Sequence, residues 1–295
     1  MAALIATSVL IVTAARRGGT VKQIGQNRSV AQPAQEDRLR PNRTWLFGGF
    51  LRKILFIFYQ PYKWLIYFPF LIVSTLVFGT IATTLSTLIN KKIGSFIGGV
   101  VWARLNGYMT PIFVKVIGKE NIDKNQSYVI VVNHQSHFDI FVLYGWLGID
   151  FKWVLKQELR KIPGLGIGCE KVGHIFIDRS NPQKAITSIN AAKQKIVNGT
   201  SVVFFPEGTR GTSGKMGNFK KGAFIFAIET GVPLLPVTII NTGNILPPHT
   251  LNLLPGWAKM MIHKKIAVTG YTAQNIDELM SKARNAILAG LDEYS

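Results

Sequence analysis

The chain has 295 residues, enough for one sizeable domain and an appendage, and 47% of them are hydrophobic. Its formal net charge at pH 7 is +19. Nucleic-acid-binding proteins are basic but seldom so apolar, and no helix-turn-helix, zinc-finger or RNP-like pattern is present, so we expect no nucleic-acid partner. A basic and apolar chain is instead typical of a protein that binds an anionic membrane surface. The single cysteine, Cys169, excludes an internal disulfide and fits a reducing compartment.

The first 43 residues differ in composition from the rest of the chain. Residues 2–15 are apolar but fall short of the roughly 20 residues that a spanning helix needs. Arg16 and Arg17 follow this run, whereas a signal peptide has its basic residues in front. The run is open to three interpretations: a weak anchor, a packing helix or a start-site extension. Residues 18–43 are polar and not periodic, which is typical of a disordered linker.

Residues 44–109 carry the strongest membrane signal. Residues 45–62 mix aromatic and aliphatic side chains with two cations, as interfacial segments do. Residues 64–89 then contain no charged side chain, and lysines flank them on both sides. Because both flanks are basic, the positive-inside rule gives no orientation. Two interpretations remain, a single spanning helix or a helical hairpin that enters one leaflet and returns, and the basic flanks favour the hairpin.

After about residue 110 the pattern changes to strands that alternate with helices. Short apolar runs predict strands at residues 128–132, 151–155, 174–177, 201–205, 234–240 and 261–268. Helices are predicted at residues 180–199, 221–230 and 275–291. This alternation predicts an α/β fold with a mostly parallel sheet flanked by helices. We therefore expect three regions: an apolar start and basic linker at 1–43, a membrane-associated helical region at 44–109, and an α/β domain at 110–295.

The segment 127–139 reads SYVIVVNHQSHFD and predicts a buried strand, a polar turn and a helix. Ser136 and Asp139 have the spacing of a capping box, which places Asp139 at the third helical position. With His134 in the turn, the Asp139 carboxylate can fold back toward the imidazole, and the pair then forms a base with its orienting acid. Two other interpretations stay open. Asp139 caps the helix while His134 is a surface residue, or His134 and His137 bind a metal, for which no further ligand cluster lies nearby.

Charged residues also follow other predicted strands. One strand finishes in Arg179, and the next is followed by the turn FPEGTR at residues 205–210. Arg210 suits a bidentate grip on phosphate, and backbone N–H groups around Gly208 can assist it. Lys221 adds positive charge at a helix start. Since active sites of such sheets lie outside the carboxyl ends of strands, these segments together predict a base–carboxylate pair and several cations along one edge.

Four blocks of the chain resemble the ordered blocks of the glycerolipid acyltransferases. They are NHQSHFD at residues 133–139, GHIFIDR at 173–179, FPEGTR at 205–210 and VPLLPV at 232–237. The resemblance is strongest to the bacterial 1-acyl-glycerol-3-phosphate (lysophosphatidic acid) acyltransferases, and it covers about residues 110–270. Residues 1–43 are not part of it.

The resemblance implies an O-acyltransferase of phospholipid biosynthesis. Such an enzyme moves a fatty acyl group from acyl-CoA or acyl carrier protein to the free hydroxyl of 1-acyl-glycerol-3-phosphate, which gives phosphatidic acid. It implies that His134 is the general base and that Asp139 orients it. By the same resemblance the glycerol phosphate is bound by Glu207, Gly208, Thr209 and Arg210, with Arg179 and Lys221 adding charge. It implies no metal and no tightly bound cofactor.

We accordingly expect a membrane protein with its catalytic domain on the cytoplasmic face. Its partners would be anionic membrane lipids, a lysophospholipid acceptor, and acyl-CoA or acyl carrier protein. Three alternatives remain open: a sister acyltransferase that acts on glycerol-3-phosphate or a lyso-ornithine lipid, a metal-dependent membrane hydrolase that uses His134, His137 and Asp139, and a lipid-binding protein without activity.

Overall fold

The computed structural model describes residues 49–162, 164–178, 196, 200–211 and 216–293. The predictions made for residues 2–15 and 18–43 lie outside the described residues. The same holds for Arg179 and for nearly all of the helix predicted at 180–199.

A long helix begins the described part of the chain. It consists of α1 (Gly49–Tyr62), a π-helical turn (Lys63–Tyr67) and α2 (Phe68–Leu88), which follow one another directly. Its stretch Lys53–Leu88 has 36 residues and is long and apolar enough to cross a membrane. Only 22% of the most apolar 18-residue part of this stretch is buried inside the protein. Large apolar side chains are exposed along its whole length, such as Phe58, Leu65 and Leu88.

The chain then folds back along this helix. The returning segment consists of α3 (Lys91–Ser95), a second π-helical turn (Phe96–Val101) and α4 (Trp102–Met109). Glycines allow the two segments to approach closely, because a Cβ at Gly94 would collide with Ser86 and one at Gly98 with Ala82. The structure therefore contains a helical hairpin, and its insertion into one leaflet stays a prediction.

In the part of the chain that the structure describes, seven strands form one sheet in the order β1-β7-β6-β2-β5-β3-β4. The strands are β1 (Ile112–Ile117), β2 (Val129–Val132), β3 (Phe151–Lys156), β4 (Ile175–Ile177), β5 (Ser201–Phe204), β6 (Leu234–Ile240) and β7 (Gly256–Ile262). Every neighbouring pair is parallel except β6 and β7. The predicted mostly parallel sheet with flanking helices is confirmed.

Helices cover both faces of the sheet. They are α5 (Phe138–Trp146), α6 (Leu165–Val172), α7 (Gly222–Thr230), α8 (Thr242–Ile245) and α9 (Ile276–Asp292), and two 3₁₀ turns lie at Lys119–Asn121 and Gln157–Lys161. Alternate residues of β2 enter different cores: Ile130 packs in the cluster of α4 and α5, whereas Val131 packs in the cluster of α7 and α9. All four β2 residues are buried, as expected for a central parallel strand. His134 therefore emerges beside the middle of the sheet.

The strand predicted at residues 261–268 was wrong in its position. β7 spans Gly256–Ile262, and beyond it only Ile266 forms an isolated bridge, to Leu234. The pairing of Val237 with Ile262 places Pro236 opposite His263, and proline has no N–H to continue the ladder. Strand β1 was not predicted at all. Among the described strands it lies at the edge of the sheet and pairs with β7 alone, so local pattern had little to reveal it.

Candidate active site

The turn after β2 brings the predicted base and its acid together. His134 Nδ1 lies 2.7 Å from Asp139 Oδ2, and α5 starts at Phe138, so Asp139 is the second rather than the third helical residue. The Asp139 side chain is fully buried, while that of His134 is 15% exposed. Because a carboxylate only accepts hydrogen bonds, Nδ1 must carry the proton, and Nε2 is then the nitrogen with a free lone pair.

Four donors hold the Asp139 carboxylate in place. Besides His134, Oδ2 accepts from the backbone N–H groups of Gln135 at 2.8 Å and Ser136 at 2.9 Å. Oδ1 accepts from the hydroxyl of Thr242 at 2.5 Å. The contact of Asp139 with Ser136 N is the one expected of a capping box, whereas Ser136 Oγ accepts from Phe138 N at 3.1 Å and not from Asp139 N, and the residue before the helix is His137. A buried carboxylate needs such donors, and here they also fix its direction.

A phenyl ring covers one face of the imidazole. The rings of His134 and Phe205 are stacked with centroids 3.8 Å apart and an interplanar angle of 14°. Trp153 stacks on Phe205 in turn, with centroids 5.7 Å apart. Phe205 directly follows β5, the parallel neighbour of β2, and the adjacency of these two strands brings the rings together. The imidazole plane is therefore set by packing as well as by Asp139.

Both oxygens of Glu207 bind backbone N–H groups. Oε1 accepts from His134 N at 2.8 Å, and Oε2 accepts from Gly217 N at 2.7 Å. The residue is 7% exposed, and burial raises the pKa of its carboxyl although the two backbone hydrogen bonds oppose that change. Glu207 thus ties the turn of His134 to the segment that precedes α7. The sequence did not predict this contact, and the predicted contact of Glu207 with substrate stays a prediction.

A lysine that the sequence analysis did not select, Lys220, lies beside the glycine turn. Gly208 has φ +76°, and a Cβ at this position would meet the side chain of Lys220 with its Nζ 2.9 Å away. The predicted Lys221 instead forms an exposed ion pair with Asp277 at 3.0 Å. Thr209, on the same turn, is exposed. The positive charge beside Gly208 therefore comes from Lys220.

Arg210 lies against the histidine motif. Its Nη1 contacts His137 Nε2, and the N–H of the next residue, Gly211, donates to His134 O at 2.9 Å. Burial and the charge of Arg210 lower the pKa of His137 to about 3, so His137 is neutral at physiological pH. The structure thus brings His134, Asp139 and Arg210 into one site.

Three adjacent strands build this site. His134 follows β2, Phe205 and Glu207 follow β5, and Thr242 follows β6, which is the parallel neighbour of β2 on its other side. This agrees with the rule that sites of parallel sheets lie beyond the carboxyl ends of strands. Within the described ranges, no group of three or more His, Cys, Asp or Glu residues is arranged to hold a metal ion.

Comparison with known proteins places the chain among acyltransferases. The family model described as "Acyltransferase" matches residues 113–240. A 1-acyl-sn-glycerol-3-phosphate acyltransferase of Saccharomyces cerevisiae is 33% identical over 220 residues, which are 73% of this chain and 72% of that protein. The chloroplastic 1-acyl-sn-glycerol-3-phosphate acyltransferase BAT2 of Brassica napus is 34% identical over 208 residues, 70% of this chain but only 58% of the plant protein.

A solved structure shares the fold. The crystal structure of the 1-acyl-sn-glycerophosphate acyltransferase PlsC from Thermotoga maritima superposes with a TM-score of 0.68 at 28% identity, and the match covers 82% of this chain and 97% of that one. The architecture and the sequence relatives agree. This chain therefore belongs to the acyltransferase family that includes these 1-acyl-sn-glycerol-3-phosphate acyltransferases.

Proposed function

We propose that this protein transfers a fatty acyl group from a thioester donor, acyl-CoA or acyl carrier protein, to the free hydroxyl of 1-acyl-glycerol-3-phosphate. The product is phosphatidic acid. The observation that carries the proposal is the His134–Asp139 pair at 2.7 Å, with Arg210 in the same site. The names of the relatives support the acceptor, although the chain spans little more than half the length of the plant relatives.

In the proposed reaction His134 acts as general base. Its Nε2 takes the proton of the lysolipid hydroxyl as the oxygen attacks the thioester carbonyl, and Asp139 keeps the other nitrogen protonated and stabilises the imidazolium that forms. The C–S bond then breaks, and the thiolate recovers the proton from His134. General base catalysis of this kind contributes roughly 10²- to 10⁴-fold in rate.

Arg210 is the proposed ligand of the acceptor phosphate. A guanidinium has five donors in a fixed plane and grips a phosphate through two parallel hydrogen bonds. Lys220 beside Gly208 adds a second positive charge at the turn that leads to Arg210. Glu207 supports the turn that carries His134, because both of its oxygens already bind backbone N–H groups.

The helical hairpin is proposed to hold the site at a bilayer, with the catalytic domain on the cytoplasmic face where the donor is found. Its exposed apolar side chains, such as Phe58 at 78% and Leu65 at 76%, form a surface that soluble proteins rarely leave open to water. The net charge of +19 would draw the protein to anionic lipids. A lysophospholipid acceptor is itself a membrane molecule, so the hairpin and the acceptor would lie in the same bilayer.

The test is an acyl-transfer assay on membranes that contain the full chain. Labelled acyl-CoA or acyl carrier protein is supplied with lysophosphatidic acid, glycerol-3-phosphate or a lyso-ornithine lipid, and the lipid products are resolved. We expect labelled phosphatidic acid from lysophosphatidic acid, unaffected by EDTA and absent with His134→Ala. Preference for another acceptor would favour a sister acyltransferase, whereas loss of activity with EDTA would favour a metal-dependent hydrolase.

A further inference from the structure

One histidine of the motif is not used by the proposed chemistry. His137 lies between the base and its acid in sequence, and it is the residue directly before α5. Its Nε2 points to Nη1 of Arg210. Arginine has only donors, so this nitrogen must be the acceptor, and the ring must be the neutral tautomer with its proton on Nδ1.

The chemical nature of this partner matters for an arginine that binds phosphate. A buried arginine is commonly paired with a carboxylate, which would neutralise the guanidinium and repel an incoming phosphate. The neutral imidazole of His137 fixes one N–H group of Arg210 without adding a negative charge. Among the described residues the other donors of the guanidinium make no hydrogen bond, and no carboxylate lies within ion-pair distance of it, although the charge of Asp139 acts on it from farther away. The low pKa of His137, lowered to about 3, keeps the ring in this form across the physiological range.

The backbone beside Arg210 is held by the same turn. Gly211 N donates to His134 O at 2.9 Å, so the main chain of the arginine loop is fastened to the base while its side chain rests on His137. A long, rotamer-rich side chain that is ordered before binding loses less entropy when the ligand arrives. His137 thus contacts the side chain of Arg210, and His134 contacts the backbone of the next residue, Gly211.

We propose that His137 is a positioning residue that holds Arg210 in the orientation that receives the acceptor phosphate, without neutralising it. The inference rests on the proposed function of Arg210. It assigns to this histidine a role in acceptor affinity and none in the chemical step.

The test compares His137→Phe, which removes the acceptor atom, with His137→Gln, which keeps a neutral one. For His137→Phe we expect the KM for lysophosphatidic acid to rise roughly 2- to 10-fold, the cost of ordering one long side chain on binding. The kcat and the KM for the acyl donor should stay at wild-type values, because the His134–Asp139 pair is untouched. His137→Gln should recover most of the acceptor affinity.

A double-mutant cycle separates this role from a general packing role. In an Arg210→Ala background, His137→Phe should cause no further rise in acceptor KM, because the residue it positions is gone. His249→Asn is the matched control: His249 is exposed and close enough to influence His137, and asparagine tolerates its φ of 59°. We expect its acceptor KM to equal that of the wild type.

Direct binding of lysophosphatidic acid and of its phosphate-free analogue 1-acyl-glycerol, to the detergent-solubilised chain, gives a readout that does not need turnover. His137→Phe should weaken only the first ligand. An unchanged acceptor KM and affinity, additive effects with Arg210→Ala, or a fall in kcat alone would each overturn the inference. If the wild type transfers no acyl group to lysophosphatidic acid, the proposed function fails separately, while the binding comparison still decides the role of His137.

Discussion

The substitution Glu207→Gln distinguishes a residue that supports the site from one that binds substrate. It replaces one carboxylate oxygen by an NH₂ group, which donates and cannot accept. Since Glu207 bonds His134 N at 2.8 Å and Gly217 N at 2.7 Å, one of these two N–H groups must lose its partner. Glu207 is only 7% exposed, so water does not readily replace the lost oxygen.

The expected cost follows from these contacts. A hydrogen bond to a charged group contributes about 1.5–3 kcal/mol to the free energy of unfolding. For a chain of 295 residues, a loss of about 2 kcal/mol lowers Tm by roughly 3 °C. The turn that carries His134 loses one anchor, so kcat should fall as well. The acceptor KM should stay nearly constant, because the carboxylate faces backbone groups.

The assay is thermal unfolding of the detergent-solubilised chain, together with steady-state kinetics at varied lysophosphatidic acid. Glu120→Gln is the matched control, because Glu120 is exposed on the 3₁₀ turn Lys119–Asn121, where a surface substitution changes stability by about 0.5 kcal/mol or less. A raised acceptor KM at unchanged Tm and kcat would refute this reasoning and would show that Glu207 contacts the glycerol phosphate.

Four further results are expected. His134→Ala should lower acyl transfer by at least the roughly 10²- to 10⁴-fold that a general base contributes, with membrane association, measured by flotation, unchanged. Thr242→Val should cost about 1.5–3 kcal/mol of unfolding free energy and lower kcat but not acceptor KM, since it removes one hydrogen bond to Asp139; unchanged kcat would contradict this. The pKa of His137 is about 3 in the folded protein and 6.5 ordinarily, so its contribution to the free energy of unfolding is full above pH 6.5 and is lost as the pH falls toward 3. In denaturant titrations the wild type should therefore lose about 2 kcal/mol more unfolding free energy than His137→Asn between pH 7 and pH 5. Parallel pH profiles of the two proteins would contradict this. Gly79→Leu should reduce the use of long acyl chains relative to short ones in product analysis, because Gly79 lines a cavity of about 390 Å³ between the hairpin and α6; an unchanged chain-length profile would show that the cavity holds no acyl tail.

The part of the site that lies within one segment was predictable from sequence. His134 and Asp139 are five residues apart, and strand, turn and capping signals sufficed to predict their contact. The pairing of Thr242 with Asp139 joins residues 103 apart, and it depends on β6 lying beside β2, which no local pattern reveals. The same holds for the stacking of Phe205 on His134, which needs β5 on the other side of β2.

Local sequence also did not reveal which of two lysines lies at the edge of the sheet that carries the site. Lys220 and Lys221 are neighbours in sequence with the same chemistry, and only the direction of each side chain separates the one near Gly208 from the one paired with Asp277. The fold was easier to predict, because alternation of strands and helices is a local signal. The end of the last strand was predicted too late because Pro236 interrupts the ladder after Ile262, and Pro236 lies on the neighbouring strand, remote from the predicted segment.

The stacking of Phe205 on the imidazole has a consequence for the approach of the substrate. With the ring centroids 3.8 Å apart, nothing fits between the two rings, so the acceptor hydroxyl cannot reach the base through the covered face. The phenyl ring carries neither a hydrogen-bond donor nor an acceptor, so it does not compete with the lipid alcohol for Nε2. An apolar side chain thus restricts the direction from which the alcohol can deliver its proton.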